Sequence, residues 1–382
     1  MEPVARFEIR YTQFLDEHGK PTQPLPDFAK NTSELTDLYR WMVLMRTYDA
    51  KAIALQRTGQ LGTYAPILGQ EAIQAGIGSA MRADDVFLMT YREQGAQLMR
   101  GVAMKDLFLY WSGDERGSDY SGARGDFPIC VTIGAHATHA AGAAYAIKLR
   151  RQKRAVVCSV GDGATSKGDV YEGMNASGAW KLPLVFFISN NQWAISVPRR
   201  AQTAAETLAQ KAIAVGIPCE QVDGNDLIAV RFALDNALSR AREGGGPSLI
   251  EALTYRLSDH TTADDASRYR SADELAEAWK REPVLRIRNY LTSLGAWDKA
   301  REDALVKECN ERVQAAVQEY TATPMPAPAA MFEHLYAEFP SALESQRAEL
   351  EASESGLPRA TAEESVPQPA HAAADAEEGG NV

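Results

Sequence analysis

From Val156 to Ser196 the chain reads VVCSVGDGATSKGDVYEGMNASGAWKLPLVFFISNNQWAIS. A β-branched run (Val156, Val157, Val160) stops at Gly161-Asp162-Gly163, and a helical segment follows until Pro183 breaks it. A second apolar run, Leu184 to Ile188, then ends at Asn190-Asn191. This order is strand, helix, parallel strand, and in such a unit both strands finish at the same sheet edge. Asp162 and Asn191 are thereby brought together, although 28 residues (163 to 190) separate them. One offers a carboxylate and the other an amide oxygen. Gly161 and Gly163 let backbone N–H groups at the helix start approach an anion closely. A magnesium ion bridging a diphosphate needs this mixture, because it takes few protein oxygens and completes its octahedron with phosphate and water.

Rival nucleotide motifs fail residue by residue. A P-loop needs Gly-Lys-Ser/Thr where this chain has Gly168-Asp169, and the dinucleotide fingerprint needs a third glycine where Ser166 stands. The spacing that fits is the thiamin diphosphate signature, GDG followed after about 25 to 30 residues by NN. Here 26 residues, 164 to 189, lie between Gly163 and Asn190.

Composition bounds the remaining choices. With 382 residues, 45% of them apolar, the chain can bury a large core in one extended α/β domain or in two domains. A formal charge of −11 argues against nucleic acid or an anionic membrane as partner. No apolar stretch reaches the length of a membrane span, and the opening MEPVARFEIRYT lacks the apolar core of a signal peptide, so a soluble cytoplasmic protein is expected. Four cysteines in no paired or metal-ligand spacing read as reduced thiols.

Along the chain, residues 1–31 read as an arm lying over a body or a partner. Residues 32–344 read as one α/β domain, a doubly wound and mostly parallel sheet flanked by helices. Its helices are expected from Ser33 to near Gly59, from Gln70 to Ala80, across IGAHATHAAGAAYAIK, across PRRAQTAAETLAQKAIAVGIP, from Leu227 to Glu243, and within 272–323. Residues 345–382 turn to Ala, Glu, Ser and Pro and read as an acidic disordered tail.

With these motifs in hand, the chain resembles the alpha subunit of the decarboxylating first component of 2-oxo acid dehydrogenase complexes, over roughly residues 33 to 340. The resemblance implies the thiamin diphosphate-binding fold, with thiamin diphosphate and Mg²⁺ as cofactors. It carries roles onto particular residues. Asp162, Asn191 and the main-chain carbonyl of Trp193 would hold Mg²⁺. Tyr91 and Arg92, in FLMTYREQG, would hold the terminal phosphate, and Gly163 and Ala164 the diphosphate through backbone donors. Ile133 would wedge beneath the cofactor and keep its two rings folded over each other. His260, in YRLSDHTTADD, matches the catalytic histidine. His136 and His139 read as structural, and the Ser, Thr and Gln that bind potassium in branched-chain relatives are replaced here by Cys130, Thr132, Ala135 and His136.

The family's proton-relaying glutamate comes from a beta subunit in two-chain members, which implies an α2β2 heterotetramer. The acyl acceptor would be the lipoyl group of a partner transacylase, and the substrate a small 2-oxo acid. GQEA at 69–72 leans towards pyruvate, whereas RLSDHTTADDASRYRS is similar to the branched-chain loop; acetoin is a further option. A non-catalytic assembly subunit is disfavoured because Asp162, Asn191, Arg92 and His260 all persist.

Overall fold

The computed structural model describes residues 2–333 and 335–354. Strands are β1 (Tyr11–Thr12), β2 (Val86–Leu88), β3 (Val156–Gly161), β4 (Leu184–Asn190), β5 (Trp193–Ala194), β6 (Val197–Pro198), β7 (Cys219–Asp223) and β8 (Ser248–Leu253). Helices run in order as α1 (Thr32–Arg57), α2 (Glu71–Ala80), α3 (Gln94–Met99), α4 (Met104–Ser112), α5 (His136–Leu149) and α6 (Gly168–Ala179). They continue as α7 (Arg199–Gln202), α8 (Leu227–Arg242), α9 (Ala272–Trp279), α10 (Pro283–Ser293), α11 (Lys299–Thr321) and α12 (Glu344–Glu354).

Six strands form one parallel sheet in the order β1-β7-β8-β4-β3-β2, and β5 and β6 make a separate hairpin. The central strands are buried along almost their whole length and mostly apolar because both of their faces are covered. Alternate residues serve opposite cores: Val157, Val185 and Phe187 pack under α1, α2 and α8, while Val156, Cys158, Leu184 and Phe186 pack under α5 and α6. Small residues set the spacing of the outer layer. A Cβ on Gly173 of α6 would come within 2.8 Å of the Ala137 carbonyl on α5, so these two helices approach closely. Register pairs Val156 with Leu184 and Gly161 with Ser189, so β3 and β4 end level with each other.

Two expectations need correction. The segment from 199 to 218 is not one helix, but a single turn, α7, and a 3₁₀ stretch, Ala209–Val215. Arg199 donates to the carbonyls of Thr203 (3.3 Å) and Ala205 (2.6 Å), and the Ala209 N–H is taken by Glu251, so groups that a helix would pair internally are used elsewhere. The N-terminal arm packs on the body. It contributes β1 as the edge strand beside β7, and the Phe14 and Leu15 amides both donate to Asp226. Finally, a helix occupies 344–354, where the tail was expected to be disordered; the rest of that expectation, 355–382, lies outside the described residues.

The chain divides into two compact units, one reaching to Tyr320 and the other beginning at Thr321. The second contains 3₁₀ turns at Pro328–Phe332 and Ser341–Leu343, and α12. Phe332 meets Phe339 edge-on within it.

Candidate active site

A cavity of about 240 Å³ opens at the carboxyl ends of β3 and β4. Its wall includes all nine residues singled out from the sequence: Tyr91, Arg92, Ile133, Asp162, Gly163, Ala164, Asn191, Trp193 and His260.

Asp162 follows the last residue of β3 and is 2% exposed. Burial pushes its carboxyl above the ordinary range, opposed first by a hydrogen bond from Gln202 Nε2 at 2.5 Å. A cation at this carboxylate would favour the ionised form that burial alone disfavours. Asn190 and Asn191 divide their labour, since successive strand residues face opposite ways. Asn190 donates to Glu251 on β8 at 2.6 Å, while Asn191 reaches the cavity, donating to Gln70 (3.4 Å) and accepting from the Trp193 amide (3.3 Å).

The β5–β6 hairpin folds over this turn. A Cβ on Gly163 would stand 2.6 Å from the Ala194 side chain, so only glycine permits the closure. Gln192 and Ile195 both take left-handed backbone angles (φ 73° and 54°), rare for such residues and typical of a site held in shape by its surroundings. The Trp193 carbonyl accepts from Arg256 at 3.4 Å, and its indole N–H donates to Tyr255 at 3.1 Å. Ile133 sits just before α5 with 42% of its surface exposed.

The opposite wall is cationic. Arg92 is 6% exposed and donates to the carbonyls of Pro66 (2.5 Å) and His260 (2.9 Å). Arg256, which the sequence reading missed, is fully buried and bonds to the Ile195 carbonyl (2.9 Å) and the Tyr269 hydroxyl (2.8 Å). Three other arginines with buried side chains pair with aspartates, Arg100 with Asp126, Arg242 with Asp85 and Arg286 with Asp223, while Arg270 is bonded to the carbonyls of Arg256 and Ser258. Among the described residues neither Arg92 nor Arg256 has such a carboxylate partner. A buried guanidinium in the cavity wall, Arg92, with a second, Arg256, behind it and no carboxylate bonded directly to either, suits an anion in this cavity.

His260 joins the two arginines. Its Nδ1 lies 3.2 Å from an Arg92 nitrogen and 3.3 Å from an Arg256 nitrogen, and its Nε2 lies 3.5 Å from the Tyr91 hydroxyl. A guanidinium can only donate, so Nδ1 is the acceptor and the ring proton belongs on Nε2. Burial, then Arg92 and Arg256, push the imidazole down to about 3, against an opposing pull from Asp264. The ring is a neutral hydrogen-bond donor at physiological pH.

Further polar groups wait on the wall. Gln70 Nε2 and Ser189 Oγ are buried without partners, and both residues line the cavity. Among the described residues no three His, Cys, Asp or Glu side chains converge as a metal site, so a cation here would take part of its shell from a ligand. The Asp162 carboxylate, the Asn191 amide oxygen and the Trp193 carbonyl on one side, with hydrogen-bond donors and the Arg92 guanidinium on the other, fit a magnesium diphosphate. His136 is buried with Nε2 2.7 Å from the Ser159 carbonyl, and His139 is exposed; neither lines the cavity. Glu71 is buried in a pair with Arg46 at 2.8 Å, away from the chemistry.

Comparison with known proteins agrees with this geometry. Residues 39–329 match the family described as dehydrogenase E1 component. The chain is 42% identical over 338 residues to the pyruvate dehydrogenase E1 component subunit alpha of Acholeplasma laidlawii, covering 87% of this chain and 96% of that protein. It is 40% identical over 345 residues to the subunit of the same name from Staphylococcus aureus, with coverage of 90% and 92%. The Staphylococcus epidermidis subunit matches at 40% over 348 residues, with coverage of 90% and 93%. The chain belongs to the dehydrogenase E1 component family.

Proposed function

We propose that this chain is the alpha subunit of a pyruvate dehydrogenase that decarboxylates pyruvate on thiamin diphosphate and passes the acetyl group to the lipoyl arm of a partner transacylase. The observation that carries the reading is the cavity's two-sidedness, with Asp162 and Asn191 on adjoining strand tips and, on the opposite wall, the Arg92 guanidinium and His260, backed by the buried Arg256.

In this reading Asp162, Asn191 and the Trp193 carbonyl hold Mg²⁺. Tyr91 and Arg92 hold the terminal phosphate, Arg92 as a charged fork and Tyr91 as a single donor. Backbone N–H groups of Gly163 and Ala164 meet the diphosphate at the short turn after β3. Ile133, exposed in the cavity wall, would supply an apolar contact to the cofactor. Bound thiamin diphosphate supplies an electron sink for the pair left when CO₂ departs. His260 offers its Nε2 proton as a fixed hydrogen bond to an oxygen that gains charge, placed by the two arginines behind it.

In this reading a beta subunit would complete the site in an α2β2 heterotetramer and would supply a carboxylate for proton transfer with the cofactor. Two features support a cytoplasmic setting: the four cysteines are free, and no helix among the described residues is long and apolar enough to cross a membrane. The names of relatives at 40 to 42% identity support pyruvate over a branched-chain 2-oxo acid.

The test is turnover of the assembled α/β pair with pyruvate against 3-methyl-2-oxobutanoate, with and without Mg²⁺ and thiamin diphosphate. Cofactor-dependent turnover with higher kcat/KM on pyruvate is expected, together with near silence of the alpha chain alone. Preference for the branched substrate would move the assignment to that enzyme, and cofactor-independent turnover would overturn it.

A further inference from the structure

Asp49 lies on α1, is 2% exposed, and does not line the cavity. Its Oδ1 accepts two hydrogen bonds of 2.8 Å, from the Tyr64 hydroxyl and the Ile67 amide. These are the two ends of a buried turn, 64–67, whose middle carbonyls serve the site. Pro66 O receives Arg92 Nη1 at 2.5 Å, and Ala65 O receives Gln94 Nε2 at 3.1 Å. The same turn grips the histidine loop: the Tyr64 amide donates to Thr262 Oγ1 at 3.0 Å, and the Thr262 amide donates to the Tyr64 carbonyl at 2.8 Å. Thr262 stands two residues after His260.

We propose that Asp49 is a positioning residue for the reaction: one carboxylate oxygen fixes the 64–67 turn, and the turn aims Arg92 and anchors the His260 loop. This rests on the reading of Arg92 as a phosphate ligand given above. A helix-borne acceptor buried among Tyr48, Tyr64 and α2 is rigid, whereas the turn has no strand or helix ladder of its own to define it. Without Asp49 the Ile67 N–H and Tyr64 O–H lose their acceptor, the turn gains alternatives, and the Pro66 carbonyl no longer holds the guanidinium in one place.

The role requires an acceptor and no charge. Burial pushes the Asp49 carboxyl up to about 7, helped by Glu71 and opposed by the Ile67 and Tyr64 bonds and by Arg92, so both protonation states occur near neutrality. Oδ1 accepts in either state. An asparagine keeps that oxygen and rescues the function; an alanine does not.

The experiment is a double-mutant cycle on the assembled α/β enzyme, reading the Kd of Mg²⁺–thiamin diphosphate by calorimetry and amide exchange at Ile67 and Thr262. Asp49→Ala is expected to weaken binding about tenfold, and Asp49→Asn by less than about threefold. In an Arg92→Ala background, Asp49→Ala should add less than about twofold, because its effect runs through that guanidinium. Faster exchange at both amides should accompany Asp49→Ala. If Asp49→Ala does not assemble, Tyr64→Phe removes one of the two donors and is read in the same cycle. An unchanged Kd for Asp49→Ala (or for Tyr64→Phe where that variant stands in for it), or effects that multiply with Arg92→Ala, overturns the positioning role. A wild-type enzyme that does not bind the cofactor, or an Arg92→Ala that binds it unchanged, overturns the phosphate-site reading instead.

Discussion

His260 Nδ1 lies 3.2 Å from the Arg92 guanidinium, and that contact decides which ring nitrogen carries the proton. With Arg256 also donating at 3.3 Å, the imidazole is left with one N–H, directed towards Tyr91 and the cavity.

The first prediction is that His260 stays neutral well below the usual histidine range. Its folded value, about 3, lies under the free value of 6.5, so the stability held by the neutral ring is complete above about pH 6.5 and is lost as pH falls towards 3. In ¹⁵N-detected titration of the cofactor-free chain, the ring should show the Nε2–H tautomer at pH 5. Arg256→Gln should raise its midpoint. Titration near 6.5 in the wild-type chain would contradict the geometry.

A second prediction concerns the turn after β3. Gly163→Ala places a methyl 2.6 Å from the Ala194 side chain and should cost about 1–3 kcal/mol through overpacking. Combining it with Ala194→Gly should recover most of the loss in urea unfolding. Equal stability of Gly163→Ala and wild type would show that the hairpin does not close as described.

The N-terminal arm gives a third. Asp226 accepts backbone N–H groups from Phe14, Leu15, Ile228 and Ala229, joining the arm to the start of α8. Asp226→Ala leaves these donors unpaired and should destabilise the chain by about 2–4 kcal/mol. Protease should then cut near residues 10–13 before the body unfolds. A variant with an intact arm and unchanged urea midpoint would refute this anchoring.

The central unit was legible because two signals coincide there. Apolar runs mark β3 and β4, and each ends in residues whose chemistry makes sense only if the strand tips are neighbours. Arg256 was not legible: it sits in a strand-end sequence, TYRLSDH, and matters only because folding stacks it behind His260 and the β5–β6 hairpin. Gln202 was hidden for the same reason, being 40 residues from the aspartate it touches. The strand Tyr11–Thr12 is too short to show any period, and the sheet edge that recruits it lies more than 200 residues away. The helix at Glu344–Glu354 was missed because a polar composition was read as disorder, although Glu, Ala, Leu and Arg are strong helix formers.

The central claim is that Asp162 and Asn191 together hold a divalent cation on a diphosphate, and calorimetric titration of the assembled enzyme tests it most directly. Wild type should bind thiamin diphosphate tightly only when Mg²⁺ is present, and Asp162→Ala and Asn191→Ala should each weaken that binding by about 10- to 100-fold while the fold is retained. Magnesium-independent binding, or an affinity untouched by either substitution, would contradict the account.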